Sequence, residues 1–185
     1  MMESKPIVSS FIWKFLERGA AQVFALIVQI VLARLLAPED FGVLAVLLVF
    51  INLSNVLIQK GFATALVQKE HIEDIDINTV FWISELIASF LYILLWCFAP
   101  LLENVYRTLH LASYLRIISI SLFAGAFYSI ENSLLIRSMQ FKKMFFSSFA
   151  ATLIAGTLAM VLAYKGMGCW ALIWQNIVQQ ILLSA

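Results

Sequence analysis

Five apolar runs dominate this sequence, at 11–36, 41–59, 79–102, 109–136 and 144–164, and a sixth opens near Trp170 and continues to Ala185. A helix rises 1.5 Å per residue, so about 20 residues cross the hydrocarbon core of a bilayer. The first five runs meet that length. Short polar breaks separate them: Ala37-Pro38-Glu39-Asp40, the segment 69–78, Glu103-Asn104, the segment 137–143 and Lys165-Gly166-Met167-Gly168. The runs are continuous, without the period-two alternation of barrel strands, which favours helices. The expected fold is therefore an all-α integral membrane protein. A single polytopic bundle of about six transmembrane helices should occupy 1–185, the sixth (170–185) incomplete.

Composition points the same way. Hydrophobic residues make up 63% of the chain and charged residues 12%, against roughly 45–50% and 25% in soluble domains. A net charge of +1 speaks against nucleic acid as a partner, since such proteins present a basic face. Cys97 and Cys169 lie in apolar surroundings without metal-ligand spacing and read as packing residues. The first run is far longer than a signal-peptide core, so it reads as a retained span. With the amino terminus in the cytoplasm, eight basic residues fall inside (Lys5, Lys14, Arg18, Lys60, Lys69, Arg137, Lys142, Lys143) and four outside (Arg34, Arg107, Arg116, Lys165). The positive-inside rule selects that orientation.

The first break carries the triplet Asp40-Phe41-Gly42, which protein kinases use to hold a metal. No Gly-rich loop or catalytic-loop motif accompanies it. A hairpin explains the charges better: Arg34 at the negative end of one helix, Pro38 in the first turn of the next, and Glu39 and Asp40 at its positive end. The acidic segment around His71, Glu73, Asp74 and Asp76 reads as a solvated face rather than a metal site. No nucleophile–base arrangement, Walker loop or CxxC pair is present. The chain is expected to be no enzyme, with no cofactor and no metal.

An ionisable or amide group at bilayer depth is costly, so each one inside a span is a functional candidate. Lys14, Arg18, Gln22 and Gln29 share one face of the first run, and Asn52, Asn55 and Gln59 share one face of the second. Glu85 leads a row with Ser89 and Tyr92, and Glu131 stands beside Asn132 near the inner end of the fourth run. Arg18, Gln59, Glu85 and Glu131 then lie at a similar depth, one to two turns inside the cytoplasmic interface, which suggests a shared polar vestibule. Ser147, Ala151, Ala155, Ala159 and Ala163 recur every four residues, with Gly156 adjacent. That row predicts a close helix–helix contact without chemistry.

Four motifs, LARLLAPEDFG (32–42), GFATALVQ (61–68), RSMQFKKM (137–144) and GMGCWALIWQ (166–175), resemble Wzx-type polysaccharide flippases. These belong to the multidrug/oligosaccharidyl-lipid/polysaccharide exporter superfamily, in its lipopolysaccharide, colanic-acid and teichuronic-acid branch. The resemblance implies a multi-pass protein of the bacterial inner membrane that flips undecaprenyl-diphosphate-linked oligosaccharide by alternating access between two helical lobes. On that reading Lys14 and Arg18 attract the diphosphate, and Gln22, Gln29, Asn52, Asn55 and Gln59 line the sugar path. Glu85 or Glu131 binds a coupling proton or sodium ion. Only an amino-terminal lobe is matched, so the expected partners are membrane lipids, the lipid-linked substrate, and a carboxy-terminal lobe or a second copy. The rival readings are half of a small-molecule or drug antiporter, a membrane-embedded glycolipid enzyme, for which Glu103 and His110 are the outer candidates, and an assembly scaffold.

Overall fold

A computed structural model describes residues 22–58, 74–108, 110–137 and 141–184, and all regular structure among them is helical. In chain order the helices are α1 (Gln22–Leu35), α2 (Pro38–Ile58), α3 (Asp74–Tyr106), α4 (Leu111–Ile118), α5 (Ser121–Arg137), α6 (Phe141–Tyr164) and α7 (Cys169–Leu183).

Local chemistry sets the turns. Only Leu36 and Ala37 separate α1 from α2. Pro38, which has no N–H to leave unpaired, opens α2, and Glu39 and Asp40 occupy its first turn. At the end of α6 the Gly166 N–H donates to the Ala163 carbonyl at 2.9 Å and the Met167 N–H to Leu162 at 3.2 Å. This is a Schellman closure, and it needs a left-handed residue; Gly166 supplies it at φ 76°. Between α3 and α4, the Glu103 carboxylate accepts the Ala112 N–H at 2.9 Å. An acidic side chain from one helix thus caps the start of the next.

That cap explains one departure from the sequence expectation. Glu103-Asn104 does not break the chain, because Glu103 spends its charge on α4 while α3 continues to Tyr106. The same helix starts at Asp74, so residues 74–78, expected in a polar break, belong to the helix. A second departure is the run 109–136, which holds two helices instead of one. At the joint, Ser119 Oγ donates to the Leu115 carbonyl at 2.6 Å and Ser121 Oγ to Ile118 at 2.6 Å. The backbone there tightens into i→i+3 bonds, Ile120 to Ile117 and Leu122 to Ser119.

The core has two parts. In the larger, Leu47 and Ile51 of α2, Ala88 and Leu95 of α3, Leu115 and Ile118 of α4, Ala126 of α5 and Ile173 and Ile177 of α7 pack together. In the smaller, Val28, Leu32 and Leu36 pack on Ala159 and Ala163 of α6 and on Ala171 and Leu172 of α7. The small-residue row is buried from Ala151 through Ala155 and Ala159 to Ala163. Around this core the outward faces stay apolar: Leu86 and Phe90 of α3 are 70% and 63% exposed. Four stretches, Pro38–Ile58, Ile75–Tyr106, Leu111–Leu135 and Lys143–Tyr164, are long and apolar enough to cross a membrane. Apolar faces on helices of that length belong in lipid. The chain is a multi-pass, all-α membrane protein.

Candidate functional site

Buried polar atoms inside such a bundle are the places to look, because each one without a partner costs stability. Most buried serines satisfy themselves locally. Ser54 donates to the Phe50 carbonyl at 2.8 Å and Ser133 to Ser129 at 2.8 Å. Four sealed side-chain atoms among the described residues do not: Asn55 Oδ1, Ser84 Oγ, Arg116 Nε and Asn132 Oδ1.

Asn55 stands at the junction of α2, α5 and α7. A Cβ placed on Gly125 of α5 would lie 2.8 Å from Asn55 Oδ1 and 3.2 Å from Gln180 Nε2. Gly125 therefore leaves the space into which an amide from α2 and an amide from α7 both reach. The result is a set of uncharged hydrogen-bonding groups packed between three helices, with an unpaired acceptor at Asn55. Asn176 binds the Leu172 carbonyl of its own helix at 2.9 Å. Such a cluster can bind hydroxyl-rich ligands or water without introducing charge.

A second set of polar residues is spread along the seam of α3 and α5. Phe81 meets Phe127 edge-on at 5.8 Å, and Tyr92 meets Phe123 at 5.5 Å. Glu85 follows Phe81 by one turn and shares its face, and Glu131 does the same after Phe127. Both carboxylates are half-buried, and each has an unpartnered polar atom as its chain neighbour, Ser84 Oγ and Asn132 Oδ1. Because residue numbers rise along α3 as they fall along α5 in these two contacts, the seam is antiparallel, and Glu85 and Glu131 step away from the Phe81–Phe127 contact in opposite directions, about 12 Å apart along the axis. They do not share the depth expected of them, and each carboxylate can take up a proton only by itself.

The remaining candidates fall into two groups. Lys14, Arg18 and Gln59 lie outside the described residues. Gln22 and Gln29 are exposed on α1, beside the buried row of Val28 and Leu32 that packs on α6. Asn52 is exposed while Asn55 turns inward, so the structure divides the row that their spacing had joined. Neither Arg116 nor Gln180, one of four amides on the run that opens near Trp170 (Gln175, Asn176, Gln179 and Gln180), is among the expected site residues. The signal for Gln180 was Gly125, an isolated glycine inside a span, which marks a close approach. Arg116, counted on the outer side, lies five residues into the span Leu111–Leu135. Asp40 of the triplet Asp40-Phe41-Gly42 lies against Gly168 at the start of α7, 3.3 Å from where a Cβ would stand. Glu103 is engaged with Ala112, and the His110 ring stands 6.4 Å from that of Tyr114. Among the described residues no group of three or more His, Cys, Asp or Glu could hold a metal ion.

Comparison with known proteins adds a family context. A model of the family described as polysaccharide biosynthesis protein matches residues 31–185. The chain is 28% identical over 180 residues, 97% of its length, to the succinoglycan biosynthesis transport protein ExoT of Rhizobium meliloti (strain 1021), of which it covers 36%. It is 24% identical over 139 residues to the lipopolysaccharide biosynthesis protein WzxC of Escherichia coli (strain K12), covering 75% of this chain and 28% of that one. An uncharacterized membrane protein in the cps region of Klebsiella pneumoniae is 26% identical over 86 residues, 46% of this chain and 18% of that one. The chain spans about a third or less of the length of these curated relatives. No solved structure matches.

Proposed function

Because the chain belongs to the polysaccharide biosynthesis protein family, we propose that it forms one lobe of an exporter carrying lipid-linked oligosaccharide across the bacterial cytoplasmic membrane. The observation that carries this reading is the similarity, along 97% of the chain, to a protein named for succinoglycan transport. The chemistry of the bundle agrees with it. A sugar presents hydroxyl groups, and the α2–α5–α7 junction offers amides, which donate and accept without the desolvation cost of charge.

In this mechanism the amino terminus is cytoplasmic. Lys14 and Arg18 draw the diphosphate of the carrier lipid to the inner mouth by charge-assisted hydrogen bonds. Gln22, Gln29, Asn52, Asn55 and Gln59 pass the sugar along, with Gln180 beside Asn55. Glu85 or Glu131 takes up a proton or sodium ion, and its neutralisation biases the bundle between inward- and outward-open states. A second helical lobe, or a second copy, closes the path on the other side. No covalent bond changes: the protein acts as a carrier rather than an enzyme.

The test replaces the chromosomal gene with an Arg18→Ala allele. Surface polysaccharide should fall about tenfold, as expected for loss of a charge-assisted contact. Lipid-linked precursor should build up in the inner leaflet, with protein level and membrane insertion unchanged. Normal surface polysaccharide would overturn the assignment.

A further inference from the structure

Arg116 is a cation that the transport reading leaves unused, and it differs from the others among the described residues in lying over an aromatic ring. It lies within the span Leu111–Leu135, on α4. Its guanidinium carbon rests 4.7 Å from the centre of the Trp96 ring on α3. Tyr92 supports that ring from the next turn of α3, 5.7 Å away. The Nε–H is sealed from the surroundings and finds no acceptor. No ion pair is formed with it among the described residues. Glu103, the acid at that end of α3, is engaged with the Ala112 N–H.

A permanently charged guanidinium inside a span, stacked on a ring and lacking a counter-ion, is an incomplete arrangement. Stacking on tryptophan offsets part of the cost, but the outer Nη–H groups, which unlike Nε are not sealed, still need oxygen acceptors. Trp96 is 44% exposed and stands ten residues before the end of α3, about 15 Å along the helix. Indole rings favour the headgroup boundary. Arg107 and His110, both exposed, add basic groups to the turn above. The missing component is an anion that lives at the membrane boundary, with oxygens to meet a planar fork of donors. A phosphate fits that description, because guanidinium binds it in a two-pronged way.

We propose that Arg116 and Trp96 form a binding site for the phosphate of a lipid headgroup, at the end of the bundle where α3 turns into α4. The residues of this site are distinct from those of the Asn55 junction. The same chemistry is available from bilayer phospholipid and from an isoprenoid diphosphate, and the experiment separates them.

Full-length protein is titrated with dioleoylphosphatidylglycerol, undecaprenyl diphosphate or phosphate-free dioleoylglycerol, and retained lipid is counted by native mass spectrometry. Arg116→Gln should weaken retention of a phosphate-bearing lipid about tenfold, and Arg116→Lys, which keeps the charge but not the fork, about threefold. Dioleoylglycerol retention should not change. An effect on phosphatidylglycerol assigns the site to bilayer lipid, and an effect on the diphosphate alone assigns it to the isoprenoid carrier. Unchanged retention of both would overturn the proposal, as would an equal loss of dioleoylglycerol. A second measurement needs no charge variant. Phosphatidylglycerol or the diphosphate should shift the part of the tryptophan emission that Trp96→Phe removes, and dioleoylglycerol should not. The absence of that difference would also overturn the site.

Discussion

At Gly156 and at Gly125 a Cβ atom would meet a neighbour at the same 2.8 Å, yet the neighbours differ in kind. Gly156 faces Val28 Cγ2, a methyl on a β-branched side chain buried to 2% exposure between α1 and α6. Gly125 faces the end of the Asn55 side chain, which can swing. The α1–α6 seam is closed by steric fit alone, through a row of alanines and apolar partners. The α2–α5–α7 junction uses an equal space to admit polar atoms, and leaves one of them unpaired. The first arrangement holds helices together, while the second lowers stability locally and keeps a hydrogen-bonding group in reserve inside the bundle.

Substitutions at the two glycines should therefore separate. The largest effect on stability is expected from Gly156→Ala. Val28 is stiff at χ1, so α1 must move, and overpacking of this type costs about 1–3 kcal/mol. Thermal unfolding of the purified protein should show the loss, and adding Val28→Ala should restore most of it. Next comes Glu103→Ala, which removes the acceptor for the Ala112 N–H and should cost about 1 kcal/mol. Glu103→Gln, which keeps an acceptor oxygen, should cost less. The smallest effect on stability is expected from Gly125→Ala. There the amide can turn away, and the helix gains up to about 1 kcal/mol from alanine over glycine. Export should nevertheless fall, because the Asn55 amide is displaced. If Gly125→Ala and Gly156→Ala destabilised alike, the contrast between the two seams would fail.

Much of this was legible in the sequence. Run length and the polar breaks outlined the membrane helices, since a helix in lipid must be long and apolar. The four-residue period of Ala151, Ala155, Ala159 and Ala163 announced a close contact, and all four are buried. The joint at Ser119 and Ile120 was not legible, because neither Gly nor Pro marks it; serine hydroxyls bonded to the preceding turn accompany it. Glu103 misled for the opposite reason, since its charge looks like a break until Ala112 is seen to need it. At the candidate site, helical spacing put Asn52 and Asn55 on one row but could not say which of them faces α5. Gln180 joins Asn55 only through tertiary packing, across α7 and α2, a relation no local period encodes. Arg116 was hidden by bookkeeping of charge to the nearer membrane face, which ignores the direction its side chain takes to reach Trp96.

The central claim is that the unpaired Asn55 amide is retained for transport rather than for packing. Asn55→Leu tests it directly, because leucine has a similar size and removes the sealed, unpaired oxygen. Replacing a buried acceptor that lacks a partner should leave thermal stability equal or raise it by about 1–3 kcal/mol. Surface polysaccharide, measured in the same strain, should be lost. A protein that is stabilised and still exports normally would contradict the account.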